Sequence, residues 1–125
     1  MSLVVRALAA LAIVIVIGGC EFLPPTVALR TAAAPADGCM DALIGGRLVR
    51  HPGSGLGIAS SDGEVTAVEW PFGYTAASAA GRIALVDARG RVVAREGDEI
   101  QVGGGFGTQF WHACAPVSVV VPGAS

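Results

Sequence analysis

Ile83-Ala84-Leu85-Val86-Asp87, then Ala88-Arg89-Gly90, then Arg91-Val92-Val93-Ala94-Arg95 is the stretch that decides the fold class. Two runs of aliphatic and β-branched residues flank a short polar loop that ends in glycine. Such runs suit a pleated, half-buried surface, and a short glycine-bearing loop between them predicts an antiparallel hairpin. The same grammar continues downstream. Glu96-Gly97-Asp98 marks a turn, and Glu99-Ile100-Gln101-Val102 alternates polar and apolar as a half-buried strand does. Gly103-Gly104-Gly105 is read as the end of that strand, and Val117 to Val121 as a closing strand.

Upstream, Ala42 to Arg50 forms a run ended by His51-Pro52-Gly53-Ser54-Gly55, and Leu56 to Ala59 leads to the turn Ser60-Ser61-Asp62-Gly63. Val65 to Trp70 stops at Pro71, which has no N–H to give a central ladder. Val27 to Arg30 suggests a further short strand, and Ala76 to Ala80 a single helical turn. Six to seven short strands with punctuation between them predict an all-β domain, a small antiparallel barrel or sandwich.

Ahead of this domain lies a different composition. Arg6 supplies a positive start, Ala7 to Ile17 is an uncharged apolar run, and Gly18-Gly19 leads into Cys20. That is the layout of a secretory signal helix, and its end resembles a bacterial lipobox. The resemblance implies that Cys20 receives a diacylglyceryl group and becomes the new N-terminus after residues 1–19 are removed. A membrane-spanning helix needs about 20 apolar residues; this run has 11 before Gly18-Gly19-Cys20, and no charged stop follows. An ordinary cleaved signal and an uncleaved anchor are the other readings. Two or more acyl chains hold a protein stably where one does not, so a di- or triacylated Cys20 is a durable tether.

The expected organisation is a signal at 1–19, a lipidated Cys20 with a flexible tether through residue 37, and one β domain over 38–125. Pro24-Pro25, Ala32-Ala33-Ala34 and Pro35 give the 20–37 segment its spacer-like composition. The expected location is the extracytoplasmic face of the cell membrane. Removal of residues 1–19 leaves 106 residues with seven arginines, no lysine and ten acidic residues, a net charge near −3. Nucleic-acid binding needs a concentrated basic surface, which this composition does not provide. Polybasic steering to lipid is equally unsupported.

With Cys20 assigned to lipid, Cys39 and Cys114 remain. An even pair in an oxidising compartment predicts a disulfide, here closing a loop of some 75 residues. Two unpaired buried thiols are the alternative; a metal site lacks ligand spacing.

The motifs that tempt a catalytic reading fail on context. Pro52-Gly53-Ser54-Gly55 lacks the first glycine of a nucleophile elbow. Gly103-Gly104-Gly105-Phe106-Gly107 has neither the Lys-Ser/Thr of a phosphate loop nor a following helix, and close backbone approach or positive φ explains it better. His51 and His112 stand far apart with no ligand-type spacing, so no metal or other cofactor is expected. Asp98 and Glu99 are adjacent on an extended chain, hence on opposite faces, and Asp98 fits a turn carboxylate.

The aromatics carry more weight. Six of the seven after Cys20 fall in two patches: Trp70, Phe72 and Tyr74, then Phe106, Phe110 and Trp111. On an extended chain residues 70, 72 and 74 share one face. Trp70, Phe72, Tyr74 and Trp111 are therefore either the large core residues of an Ala- and Val-rich domain or a candidate binding surface.

Trp70-Pro71-Phe72-Gly73-Tyr74, Asp87-x-x-Gly90, Ala94-Arg95-Glu96-Gly97-Asp98 and Gly103-Gly104-Gly105 together carry a resemblance. Over residues 39–114 the chain resembles a group of small bacterial lipoproteins, especially those of high-GC Gram-positive bacteria. The resemblance implies an OB-like β barrel, and its motifs carry no established chemistry. The functional expectation is a non-enzymatic binding or structural module of the cell envelope. It would be anchored in the membrane and present a surface to a wall polymer, a peptide or an envelope protein. A small hydrolase-like envelope enzyme is the alternative; it needs His51 or His112 brought to Asp98, Glu99 or a serine in one pocket.

Overall fold

A computed structural model describes residues 26–120, and within them the chain is all-β. The expectations for residues 1–19, Cys20, the first part of the tether through residue 25, and residues 121–125 fall outside this range. The decisive hairpin forms as read. β6 (Arg82–Val86) and β7 (Val92–Arg95) pair antiparallel around a turn in which Asp87 Oδ1 accepts the backbone N–H of Arg89 and Arg91, at 2.9 and 3.0 Å. Those two donors, the Arg91 amide foremost, hold the Asp87 carboxyl below its ordinary pKa.

This hairpin belongs to a four-stranded antiparallel sheet ordered β1-β5-β6-β7, with β1 at Thr26–Val27 and β5 at Thr75–Ala79. β5 corrects the helical turn expected over Ala76 to Ala80. Alanine is a good helix former, but here Ala76 is buried between two strands and both its neighbours supply a ladder. Tertiary pairing outweighs the local preference.

The other five strands are β2 (Ala42–His51), β3 (Gly55–Ala59), β4 (Val65–Glu69), β8 (Glu99–Phe106) and β9 (Trp111–Val119). β2 pairs with β3, β3 with β4, β4 with β9, β9 with β8, and β8 with β2, so the circuit of pairings closes. All are antiparallel except β4 with β9, which run parallel through Val68↔Trp111 and Glu69↔His112. The circuit covers most of the edges that Val-rich strands otherwise expose, but the two-residue β4–β9 pairing leaves one side of β9 uncovered beyond His112.

The core lies between the two sheets and inside the closed one: Leu48, Leu56, Ile58, Val68, Trp70, Ile83, Leu85, Ile100, Val102 and Trp111 form one buried cluster. Complete burial of a side chain such as Leu48 contributes roughly 1.5–3 kcal/mol.

Two boundaries in the last third of the chain differ from the sequence reading. Gly103-Gly104-Gly105 does not end a strand; it continues β8 past a register shift. The reason is close approach: a Cβ on Gly104, at φ +145°, would stand 1.9 Å from the His112 carbonyl oxygen. The closing strand begins at Trp111, so Cys114 lies within it rather than before it.

The largest correction concerns the tether. Residues 26–32 are a strap built into the domain, not a free spacer. Val27 and Leu29 pack on the core, the Arg30 amide donates to the Ser54 carbonyl at 3.0 Å, and the Ala32 amide donates to Trp70 O at 2.9 Å. Gly55 makes room for the strap, since a Cβ there would meet Ala28 O at 2.1 Å.

Candidate functional site

The strap ends at a cleft. Beyond Ala32 the chain runs through Pro35 and Ala36 to Cys39, which is bonded to Cys114 in β9 with 6.0 Å between Cα atoms. The predicted disulfide is therefore present. It clips this segment beside β9 and leaves a space of about 390 Å³ between them, closed on a third side by Pro71 and Phe72.

Local sequence explains the shape. β4 pairs with β9 only as far as Glu69↔His112, and Pro71 then turns the chain away. The Tyr74 amide closes that turn on Pro71 O at 3.1 Å. Beyond His112, Ala113 to Ala115 of β9 face the cleft where a continuing β4 would have lain. The walls are small and apolar, and Asp37 is the one charged side chain on them.

The four aromatic candidates separate here. Phe72 is 48% exposed at the cleft. Trp70, Tyr74 and Trp111 are 0, 7 and 3% exposed, so the candidate binding surface built on them is corrected to core. The physical reason is the turn at Pro71-Phe72-Gly73, which breaks the extended alternation that put 70, 72 and 74 on one face. Trp70 points inward and its Nε1 donates to Leu56 O at 3.0 Å, while Trp111 packs edge-on against the exposed Phe106 with centroids 5.0 Å apart. Burial with a satisfied indole N–H is what a core tryptophan requires. Burial also raises the pKa of the Tyr74 hydroxyl, with the Asp87 charge adding to it.

The polar candidates resolve into two clusters. His51 and Ser54 do meet, with Ser54 Oγ 3.3 Å from His51 Nδ1. That nitrogen accepts the Gly53 and Ser54 amides at 3.1 and 3.2 Å, and the Ser54 hydroxyl donates its proton to Leu56 O at 2.7 Å. Ser54 is buried. The pair shapes the β2–β3 turn, with the hydroxyl directed at Leu56 O.

His112 meets Glu69 instead, Nδ1 to Oε1 at 3.0 Å, across the parallel β4–β9 pair. The other Glu69 oxygen is 3.6 Å from Arg30 Nε, and the Arg30 guanidinium lies 4.0 Å from the Phe110 ring centroid. This chain of contacts ties strap, β4 and the β8–β9 loop together at the surface. The spacing of single residues in sequence gave no sign of it, because its members come from three separate segments.

Asp98 behaves as a turn carboxylate, accepting the Arg95 amide at 2.8 Å and lying 3.3 Å from Arg82 Nη2. Glu99 is exposed opposite Arg47 on β2. No group of three or more histidine, cysteine, aspartate or glutamate side chains is placed to hold a metal ion among the described residues.

No protein-family model, curated protein or solved structure matches this chain.

Proposed function

We propose that the protein is a lipid-anchored, non-catalytic binding module on the extracytoplasmic face of the cell membrane. Its site is the Phe72 cleft, which takes an extended, apolar peptide segment of an envelope partner. The observation that carries this reading is the exposed Phe72 ring beside a space of about 390 Å³ with small apolar walls. Aromatic side chains are enriched among binding anchors, and apolar concave surfaces with few polar groups are where ligands bind. The outer edge of β9 at Ala113–Ala115 adds main-chain groups that an extended peptide can pair with. A polysaccharide fits less well, since hydroxyl-rich ligands need more polar side chains than Asp37 alone.

The lipid anchor is supported by the Ile17-Gly18-Gly19-Cys20 pattern, and the envelope setting by the Cys39–Cys114 disulfide, which suits an oxidising compartment. We also read the closed five-strand circuit as an OB-like barrel. The antiparallel run β2-β3-β4 and the return through β8 and β9 match a five-stranded Greek-key barrel. Fold alone assigns no ligand, and the cleft lies off the β3–β4 face.

Selection of a random peptide library on the purified chain tests the reading. Enrichment of apolar, extended sequences is expected, and Phe72→Ala should weaken the selected peptide about tenfold or more, as loss of a central aromatic anchor does. Unchanged affinity in Phe72→Ala would remove the cleft from the function. A hydrolytic reading rests on the His112–Glu69 pair. It would gain support if turnover of an envelope substrate were abolished by His112→Ala.

A further inference from the structure

We infer that the domain stands on the membrane in one orientation. The β5–β6 turn faces the phospholipid surface, and the Phe72 cleft points away from it. This inference rests on the proposed lipid anchor at Cys20.

The first observation is reach. The strap is locked to the domain from Thr26, which pairs with Ala77 of β5. Six Cα–Cα steps separate Cys20 from Thr26, and even a fully extended chain spans at most about 3.6 Å per step, so roughly 20 Å in all. A domain of this size is about 30 Å across, from the radius of gyration expected for about 100 residues. The anchor therefore cannot lift the domain clear of the surface by its own width.

The second is direction. Thr26↔Ala77 and Val27↔Ala76 run antiparallel, so β1, followed toward its Thr26 end, is directed at the Ala79 end of β5. That end carries the two-residue turn Ala80-Gly81, with both residues at positive φ. The other end of β5, at Thr75, follows directly from the Phe72 turn. It pairs with Val86, so the β6–β7 turn at Ala88 and Arg89 lies there too. The strap itself runs from Thr26 at the anchored end to Ala32 at the cleft.

The third is surface chemistry. Ala79, Ala80 and Gly81 are exposed, small and uncharged. Arg50 and Arg82 flank them. Arg50 Nη2 donates to Gly81 O at 3.4 Å while its Nε is 3.0 Å from Glu96 Oε2, and Arg82 Nε donates to Glu96 O at 2.8 Å. A guanidinium has five N–H donors, and both side chains stay about half exposed. They can meet lipid phosphates without leaving their carboxylate partners, so the contact needs phosphate groups but no net anionic lipid.

The full chain, purified from membranes and reconstituted into phosphatidylcholine vesicles, provides the test. A small fluorophore is placed at Ala79 in one preparation and at Arg89 in another, and a quencher is carried on lipid headgroups. Quenching should be several-fold stronger at Ala79, and a long Gly/Ser insertion between Pro25 and Thr26 should reduce it. Equal or reversed quenching, or no response to the insertion, overturns the orientation. Acyl labelling of the same preparations, with Cys20→Ala as control, keeps the two ideas apart. Labelled chains with equal quenching refute only the orientation, whereas labelling that persists in Cys20→Ala refutes the anchor itself.

Discussion

Gly104 shows how one missing methyl group holds two strands together. Its φ of +145° and the 1.9 Å that would separate a Cβ from His112 O leave no space for a side chain. Trp111 Nε1, 3.4 Å from Gly103 O, lies against the same backbone. Gly104→Ala should therefore cost about 3 kcal/mol or more, since backbone cannot yield as a flexible side chain can. Urea unfolding of the two proteins measures the difference. Glu96 acts through charge. Its carboxylate accepts the Ile83 amide at 3.1 Å and pairs with Arg50, and these contacts, the Ile83 amide first, lower its pKa below the ordinary 4.5. A depressed carboxylate stabilises the fold above its unfolded pKa, and that contribution disappears as pH falls through the folded value. Stability should decline below about pH 4.5, the unperturbed value. Glu96→Gln should be about 1 kcal/mol less stable at neutral pH, with the gap narrowing in acid. Thermal melts across that range decide it.

Among elements, the strap separates what local pattern shows from what pairing decides. The hairpin β6–β7 is legible because every instruction for it is local: two apolar runs, an Asp that caps its own loop, and a glycine at φ +82°. The strap carries less local instruction. Val27 to Arg30 suggests a short strand inside a spacer-like segment and nothing nearby names its partners, yet the strap supplies the partner for β5 and for the backbone of Trp70. A chain beginning at residue 38 should consequently fold poorly or not at all, while one beginning at residue 26 should retain the full structure. Exposure of the β5 edge and of the surface covered by Val27 and Leu29 is the cause. Far-UV circular dichroism and melting of the two chains give the answer, and equal stability would return the strap to the role of tether.

Across the whole molecule, the disulfide joins the segment that follows the strap to the last strand. Cys39 follows the strap and Cys114 sits in β9, 75 residues on. In the chain-entropy account such a loop restricts the unfolded state by roughly 4–5 kcal/mol. The Cys39→Ser, Cys114→Ser double variant should lose a large part of that, seen as a lower urea midpoint. It should also bind a cleft peptide more weakly, because the wall formed by Pro35 to Cys39 is no longer clipped to β9. A variant as stable as the parent would show that strand pairing alone holds the two ends.

Residue order by itself determined the all-β class, most strand positions, the Cys39–Cys114 bond and the role of Asp98 as a turn carboxylate. Each depends on neighbours in sequence or on simple counting, so each survives without coordinates. Only the tertiary structure decided that Ala76 to Ala79 is a strand, that residues 26–32 belong to the domain, and that Trp70, Tyr74 and Trp111 are buried while Phe72 is not. It alone brought Arg30, Glu69, Phe110 and His112 together. The reason is the same in every case. Alternation, burial and charge contact depend on which strand lies alongside, and in a sheet that closes on itself the neighbour comes from far along the chain.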